Sequence, residues 1–344
     1  LALAEKAAQE SFVLLKNNGI LPLEKSKIKT IGVIGPNANS RAALVGNYHG
    51  TASRYVTILE GLQDYLGEYV RVLTSTGCEL FRDRTENLAF PADRLSEAKI
   101  VADNSDVVVL CVGLDETLEG EEGDTGNSYA SGDKMDLQLP QVQRDLMEAV
   151  KETGKPVVLC LMAVLQLWYP GAQGGKAAAK VLFGEVSPSG KLPVTFYESL
   201  DELPEFTDYR MAGRTYRYMK GKAQYPFGYG LTYGDVCVTG AEIATCMEAA
   251  CESGSRSFGK GFDPQALTIL ADVHNAGIHA TDEVLQVYVK NHDCADADKH
   301  PELCAFMRIH LDAGEKKQIR IPVGHRALTV VGEDGIRRDN GKSY

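Results

Sequence analysis

The chain has 344 residues, of which 44% are hydrophobic and 24% are charged, a composition typical of a globular protein with room for two or three domains. Its formal net charge of −11, with no basic block, argues against a nucleic-acid partner and against an anionic membrane surface. No apolar run approaches the roughly 20 residues that a spanning helix needs, so we expect no membrane partner.

Helical and strand patterns alternate in the first part of the chain. Apolar residues at helical spacing predict a first helix from Leu3 to Asn18, followed by a buried strand that starts at Lys29 and breaks at Gly35-Pro36. The further predicted elements, in chain order, are a helix at 57–67, a strand at 69–74, a helix at 94–104, a strand at 106–112, a helix at 141–153, a strand at 155–162 and a helix at 172–183. This alternation predicts a three-layer α/β sandwich with a mostly parallel sheet.

The sequence changes character after about residue 193. Residues rich in Pro, Tyr and Gly follow, and then the apolar residues alternate with period two, as in 267–273, 283–289 and 318–323. Asn275-Ala-Gly and Asp312-Ala-Gly are typical of turns between such strands, and the pattern predicts a small antiparallel β-sandwich. The predicted organisation is an α/β domain at 1–194, an interdomain strap at 195–233 and a β-sandwich at 234–344.

The eight cysteines show no metal-binding or disulfide framework. Cys111 and Cys160 lie in apolar strand patterns and are typical of buried small hydrophobic residues. No pair has the CxxC spacing of a zinc site, so no metal is expected. In an oxidising compartment, disulfides could form among Cys237, Cys246 and Cys251, or between Cys294 and Cys304. The compartment stays open, with a secreted or periplasmic location slightly favoured.

The glycine-rich stretch 113–140 carries the strongest functional signal. It places several carboxylates directly after the fully apolar strand 107–112, and a buried parallel strand delivers its loop to the carboxyl edge of the sheet, where open α/β folds bind ligands. Crowded carboxylates raise one another's pKa, so one of them can donate a proton near neutrality. The alternative interpretation is a solvated acidic loop or a divalent-ion site.

Several segments, in chain order, together resemble one enzyme family. They are Ala7-Ala-Gln-Glu-Ser-Phe-Val-Leu-Leu-Lys-Asn-Asn-Gly, Ile31-Gly-Val-Ile-Gly-Pro-Asn-Ala, Gly46-Asn-Tyr-His-Gly, Gly113-Leu-Asp-Glu-Thr-Leu-Glu-Gly-Glu-Glu, Trp168-Tyr-Pro-Gly, Ser187-Pro-Ser-Gly-Lys-Leu-Pro and Tyr225-Pro-Phe-Gly-Tyr-Gly. These resemble the second domain of glycoside hydrolase family 3, and Asp282-Glu-Val-Leu-Gln-Val-Tyr-Val resembles the fibronectin type III-like domain that often follows it. The resemblance implies exo-acting, retaining hydrolysis of β-linked glucose or xylose from non-reducing ends.

The resemblance also implies a partner for this chain. Family members usually begin with a TIM barrel that holds the nucleophilic aspartate, in a Ser-Asp-Trp-like motif that is missing here. We therefore expect half of an active site, completed by a TIM-barrel domain from the same precursor or from a partner chain. The substrate class implied is a β-linked oligosaccharide or aryl glycoside. Two carboxyl groups suffice for the chemistry, so no cofactor is expected.

Glu119 is the residue to which the resemblance assigns the general acid/base role, with Glu121 as the runner-up because Gly120 lets either side chain point inward. Tyr48, His49 and Asp133 are weaker candidates for binding the aglycone part of the substrate, and turn formation or loop packing explains them equally well. The family often has Asp-Arg where this chain has Asp133-Lys134, and it has a longer segment between Met162 and Leu165. The alternative function is a non-catalytic carbohydrate-binding or structural module.

Overall fold

The computed structural model describes residues 1–46, 49–83, 88–90, 92–118, 136–161, 165–205, 207–244, 265–292, 294 and 300–339. The chain divides into two compact units, Leu1–Gly190 and Lys191–Tyr344. Each unit has its own secondary structure and its own core. In the described residues no helix is both long enough and apolar enough to cross a membrane.

The first unit is built from alternating helices and strands. Its helices are α1 (Ala2–Ser11), α2 (Ile58–Leu66), α3 (Asp93–Asp103), α4 (Gln141–Lys151) and α5 (Gly174–Leu182). Its strands are β1 (Val13–Leu14), β2 (Thr30–Ile34), β3 (Arg71–Ser75), β4 (Val107–Val112), β5 (Val157–Leu161) and β6 (Leu165–Gln166). Elements β2 to β5 and α2 to α5 lie within a few residues of their predicted positions.

A four-stranded parallel sheet in the order β3-β2-β4-β5 forms the centre of this unit. All six residues of β4 are buried, which requires cover on both faces of the sheet. On one face, Val108 and Leu110 pack in a core cluster with residues of α3 and α4. Helices α1 and α2 pack against α5 as a separate group. The predicted α/β architecture with a mostly parallel sheet is confirmed.

The first helix is shorter than the predicted one. Helix α1 ends at Ser11, and the apolar run that follows forms β1, which pairs antiparallel with β6 through Val13 and Gln166. Phe12 to Leu15 are all buried, and an extended strand buries consecutive residues on two faces more readily than a surface helix does. The helix prediction beyond Ser11 was therefore wrong because the partner strand lies about 150 residues further along the chain.

Two glycines allow α2 and α5 to cross at close range. A Cβ atom added to Gly61 would lie 2.1 Å from the carbonyl carbon of Gly175, and one added to Gly175 would lie 1.8 Å from the carbonyl oxygen of Thr57. Thr57 caps α2 in a capping box with Glu60, in which each side chain accepts a hydrogen bond from the other residue's backbone. At this crossing the backbones of α2 and α5 are therefore in direct contact, next to the capped N-terminus of α2.

The second unit is mostly antiparallel β-structure. Its strands are β7 (Val236–Ala244), β8 (Gln265–Asn275), β9 (Thr281–Val289), β10 (Glu302–Leu311), β11 (Lys316–Gly324), β12 (Thr329–Val331) and β13 (Arg337–Asp339), and α6 spans Thr215–Tyr218. Strands β11, β8 and β7 form one sheet and β10 and β9 another. Residues of both sheets, including Val273, Leu285 and Ile321, share one core. The predicted β-sandwich is confirmed.

The predicted strap, 195–233, lies within the second unit. Just before it, the Nζ atom of Lys191 lies 2.6 Å from Oε1 of Glu283 on β9 and donates to the carbonyl oxygen of Gly230 at 2.7 Å. Within it, the ring of Tyr216 stacks on Phe227 with centroids 4.4 Å apart. These contacts order the segment. Its role in joining two domains stays a prediction.

The cysteines among the described residues are free thiols. Cys111 and Cys160 are buried opposite each other on β4 and β5, in agreement with the prediction. Cys294 and Cys304 are both unpaired, so the disulfide considered between them is not formed. Cys246 and Cys251 lie outside the described residues.

Candidate active site

The carboxyl edge of the sheet has a topological switch point between β2 and β4. The chain leaves β2 toward β3 on one side, and β4 returns on the other side of β2. In open α/β sheets the ends of two such strands form a crevice for ligands. A Cβ atom on Gly35, which has φ of +123°, would lie 2.0 Å from the carbonyl oxygen of Cys111. Glycine therefore allows the loop after β2 to cross the end of β4.

The loop after β4 begins with six described residues, 113–118, which we call the loop base. Gln143 on α4 accepts a hydrogen bond from the Gly113 N–H at 2.7 Å and donates through Nε2 to the Gly113 carbonyl oxygen at 2.9 Å. The same Nε2 donates to the carbonyl oxygen of Leu80 at 2.6 Å. The Gln143 side chain is 0% exposed, so these bonds are shielded from water. Gln143 thus fixes the exit from β4.

The middle of the loop base is held by Asp115. Its Oδ1 atom accepts hydrogen bonds from the backbone N–H of Thr117 at 2.9 Å and from the Thr117 hydroxyl at 2.6 Å. Asp115 and the last residue of the base, Leu118, are both buried. One oxygen of the Asp115 carboxylate therefore stabilises the turn of the loop base.

His49 contacts the loop base from the Gly46–Gly50 segment. Its Nε2 atom lies 3.4 Å from Oε2 of Glu116, and its Nδ1 atom lies 3.1 Å from the carbonyl oxygen of Gly50. The Gly50 carbonyl oxygen can only accept, so the Nδ1 atom is the donor in that contact, and the Nε2 atom faces the Glu116 carboxylate. His49 is therefore close to the predicted site. A contact with the aglycone stays a prediction.

The other predicted site residues, Tyr48, Glu119, Glu121 and Asp133, lie outside the described residues. So do residues 162–164, in the stretch between Met162 and Leu165 where a longer segment is expected in the family. The catalytic assignment to Glu119 therefore stays a prediction, which the resemblance to the family implies.

Asn37 is a further polar residue at the switch point. Its N–H donates to the carbonyl oxygen of Cys111 at 3.3 Å, while its side chain is buried and neither amide atom has a partner among the described residues. A buried amide without partners costs about 1–3 kcal/mol. Asn37 thus offers one donor and one acceptor next to the end of β4. No cluster of three His, Cys, Asp or Glu side chains suited to a metal ion occurs in the described parts of the chain.

Comparison with known families decides the relationship of this chain. A family model described as "Glycosyl hydrolase family 3 C-terminal domain" matches residues 12–233, well over half of the chain. The chain belongs to glycoside hydrolase family 3. A second model, described as "Fibronectin type III-like domain", matches residues 283–342, in the β-sandwich. Both parts of the resemblance seen in the sequence are therefore confirmed.

Relatives with curated names are glycoside hydrolases of this family. The chain is 33% identical to the "Beta-xylosidase" of Formosa agariphila over an alignment 359 residues long, which covers 96% of this chain and 46% of that protein. It is 31% identical over 368 residues to the "Periplasmic beta-glucosidase" of Salmonella typhimurium, with 94% and 45% covered. The family 3 β-glucosidase of Bifidobacterium adolescentis superposes with a TM-score of 0.77 at 30% identity, with 96% of this chain and 48% of that chain covered.

The chain spans about half the length of the curated relatives that it matches. It aligns with the part of family 3 enzymes that the C-terminal family model describes.

Gln143 is the residue at this site that the sequence reasoning missed. The buried residues of helix α4 are Gln143, Leu146, Ala149 and Val150. Gln143 precedes Leu146 by three residues and Val150 by seven, so it lies on the apolar stripe of the helix. A glutamine at a core position of an amphipathic helix is the signal that marks it, because a buried amide needs polar partners.

Proposed function

We propose that this chain is part of a retaining, exo-acting β-glycosidase, a β-xylosidase or β-glucosidase, and that it supplies the general acid/base. The observation that carries the proposal is the family 3 match over residues 12–233, which includes the acidic loop after β4. The curated names of relatives that cover this half support the substrate class, β-linked xylosides and glucosides. The nucleophile comes from a TIM barrel in the same precursor or in a partner chain.

The proposed reaction has two steps. In the first, the barrel's carboxylate attacks the anomeric carbon while the protonated Glu119 carboxyl gives its proton to the departing glycosidic oxygen. In the second, the Glu119 carboxylate takes a proton from water, whose oxygen attacks the anomeric carbon and releases the nucleophile. Two inversions give net retention. The carboxyl groups must lie about 5–5.5 Å apart, so Glu119 has to reach over the barrel mouth.

The contacts of the Asp115 and Glu116 carboxylates support the choice of Glu119. Asp115 is occupied by Thr117, and Glu116 lies beside His49. Both carboxylates thus have contacts within the loop base or with His49, which favours the acidic residues after Leu118 as the proton donor. Glu119 is the first of these in the sequence, and Glu121 is the runner-up.

The test uses the full-length enzyme, or this chain assembled with a barrel-bearing polypeptide. We expect hydrolysis of 4-nitrophenyl β-xyloside or β-glucoside to fall in Glu119→Gln, and azide to restore turnover by replacing water in the second step, with a β-glycosyl azide as product. Restoration in Glu121→Gln instead would move the role to that residue. Activity of the 37.4 kDa chain alone would contradict the shared active site. If this chain binds an oligosaccharide but no hydrolysis occurs when the barrel is present, the alternative of a non-catalytic carbohydrate-binding module is favoured.

A further inference from the structure

The side chain of Gln143 imitates a neighbouring strand at the point where β4 ends. A strand partner offers one acceptor and one donor to each residue that it pairs with, and Gln143 offers both to Gly113. Its second bond to the Leu80 carbonyl prevents the amide from turning over. The two bonds to Gly113 are buried, and Gln143 stands on a helix whose apolar face is part of the core. The rigid core therefore sets the position of the loop base.

The rest of the loop base transmits this position toward the acidic residues. Asp115 and Thr117 close a turn, and Leu118 is anchored in the interior at 2% exposure. Within the loop base, Gly113, Asp115, Thr117 and Leu118 are therefore each held by hydrogen bonds or by burial.

We propose that Gln143 is a positioning residue for the general acid/base of the glycosidase reaction. The inference rests on the proposed function, because it concerns the carboxyl group that follows the loop base. An acid catalyst must lie within hydrogen-bonding distance of the glycosidic oxygen, and a misplacement of about 1 Å can cost about 100-fold in rate. Gln143 touches no substrate in this scheme. It acts through Gly113.

The chemistry of the three hydrogen bonds determines which replacements are informative. Gln143→Met keeps the length and volume of the side chain but removes the donor and the acceptor. Gln143→Glu keeps the acceptor for the Gly113 N–H, but an ionised carboxylate faces the carbonyl oxygens of Gly113 and Leu80 without a proton to donate. Gln141→Leu is the matched control, since Gln141 is exposed on the same helix and bonds to Asp145.

The experiment measures how the rate depends on the leaving group. Each variant of the barrel-containing enzyme is assayed with 2,4-dinitrophenyl β-glycoside, whose leaving group needs no protonation, and with an unactivated disaccharide, whose leaving group does. We expect Gln143→Met to lower kcat/KM, which reports the first chemical step, about 10- to 100-fold on the disaccharide and about 3-fold or less on the dinitrophenyl glycoside. The ratio of the two rates is independent of the fraction of folded enzyme, so a loss of stability does not produce the effect.

The reference variants separate the failure of this inference from the failure of the proposed function. If Glu119→Gln changes the ratio and Gln143→Met leaves it at the wild-type value, the positioning role is overturned while the acid/base stands. If Glu119→Gln and Glu121→Gln both leave the ratio unchanged, the acid/base assignment falls, and the positioning role falls with it. A change in the ratio for Gln141→Leu equal to that for Gln143→Met would also overturn the inference.

Discussion

Replacing Gly175 with alanine tests the close crossing of α2 and α5. The added Cβ atom would lie 1.8 Å from the Thr57 carbonyl oxygen and 2.7 Å from that of Val56. Contacts under 3.0 Å essentially do not occur for Cβ atoms, so the helices must separate by at least 3.0 − 1.8 = 1.2 Å. Both groups are backbone, and no side-chain rotation relieves the clash.

The expected destabilisation follows from these distances. Overpacking a core typically costs about 1–3 kcal/mol, and a clash with backbone belongs at the upper end of that range. Separation also weakens the hydrogen bond from the Gly175 N–H to the Val56 carbonyl oxygen, 2.9 Å long and worth about 1 kcal/mol. Alanine's greater helix propensity offsets up to about 1 kcal/mol. We expect a net loss of about 3 kcal/mol in the free energy of unfolding.

The fluorescence of Trp168 provides the assay. It is the single tryptophan of the chain, and its indole N–H donates to the Ser11 carbonyl oxygen at 3.1 Å within the first unit. Its emission during urea unfolding therefore reports on that unit. With an m-value of about 2 kcal/mol per M, the midpoint should fall by roughly 1.5 M.

Gly50→Ala is the control for this experiment. A Cβ atom on Gly50 meets no atom within 4 Å, so its midpoint should stay within the equivalent of about 0.5 kcal/mol of wild type. If Gly175→Ala shifts the midpoint no more than Gly50→Ala does, the close crossing is refuted as a determinant of stability.

Two further predictions concern titratable groups. The hydrogen bond to the Asp282 carboxylate raises the pKa of His310, so this contact stabilises the fold below the ordinary histidine pKa of about 6.5 and the stabilisation is lost as the pH rises through the raised value. NMR titration should show the raised pKa return toward about 6.5 in Asp282→Asn, and an unchanged value would contradict the pairing. Burial raises the pKa of the Cys78 thiol to about 12, whereas Cys237 is exposed. Iodoacetamide at pH 8 should therefore alkylate Cys237 well before Cys78, measured by peptide mass spectrometry, and equal rates would show that the Cys78 site opens readily.

The central sheet could be predicted because its signals are local. Six consecutive apolar residues in β4 require cover on both faces, and only a parallel strand between helix layers provides it. The end of α1 could not be predicted in the same way. Phe12 to Leu15 suit a buried helix or a buried strand equally, and the deciding contact is the pairing of Val13 with Gln166. Local periodicity contains no information on such a distant partner.

In the candidate site, too, some features could be predicted from the sequence and others could not. The position of the acidic loop in the sequence followed from the strand before it, and the range matched by the family model includes both. The bonds between Gly113 and Gln143 join residues 30 apart in the chain, whereas Asp115 bonds to Thr117 only two residues away. The composition of the loop does not distinguish Asp115 from the other acidic residues, whereas its hydrogen bonds with Thr117 do. The spacing of Gln143 to Leu146 and Val150 was readable, but its partners were not.

The attachment of Gly113 to Gln143 also affects how the end of β4 is held. The two residues stand on either side of the segment 119–135 in the sequence, and their bonds join the end of β4 to α4 without involving that segment. Replacement or cleavage of residues between Leu118 and Asp136 would therefore leave the end of β4 attached to α4.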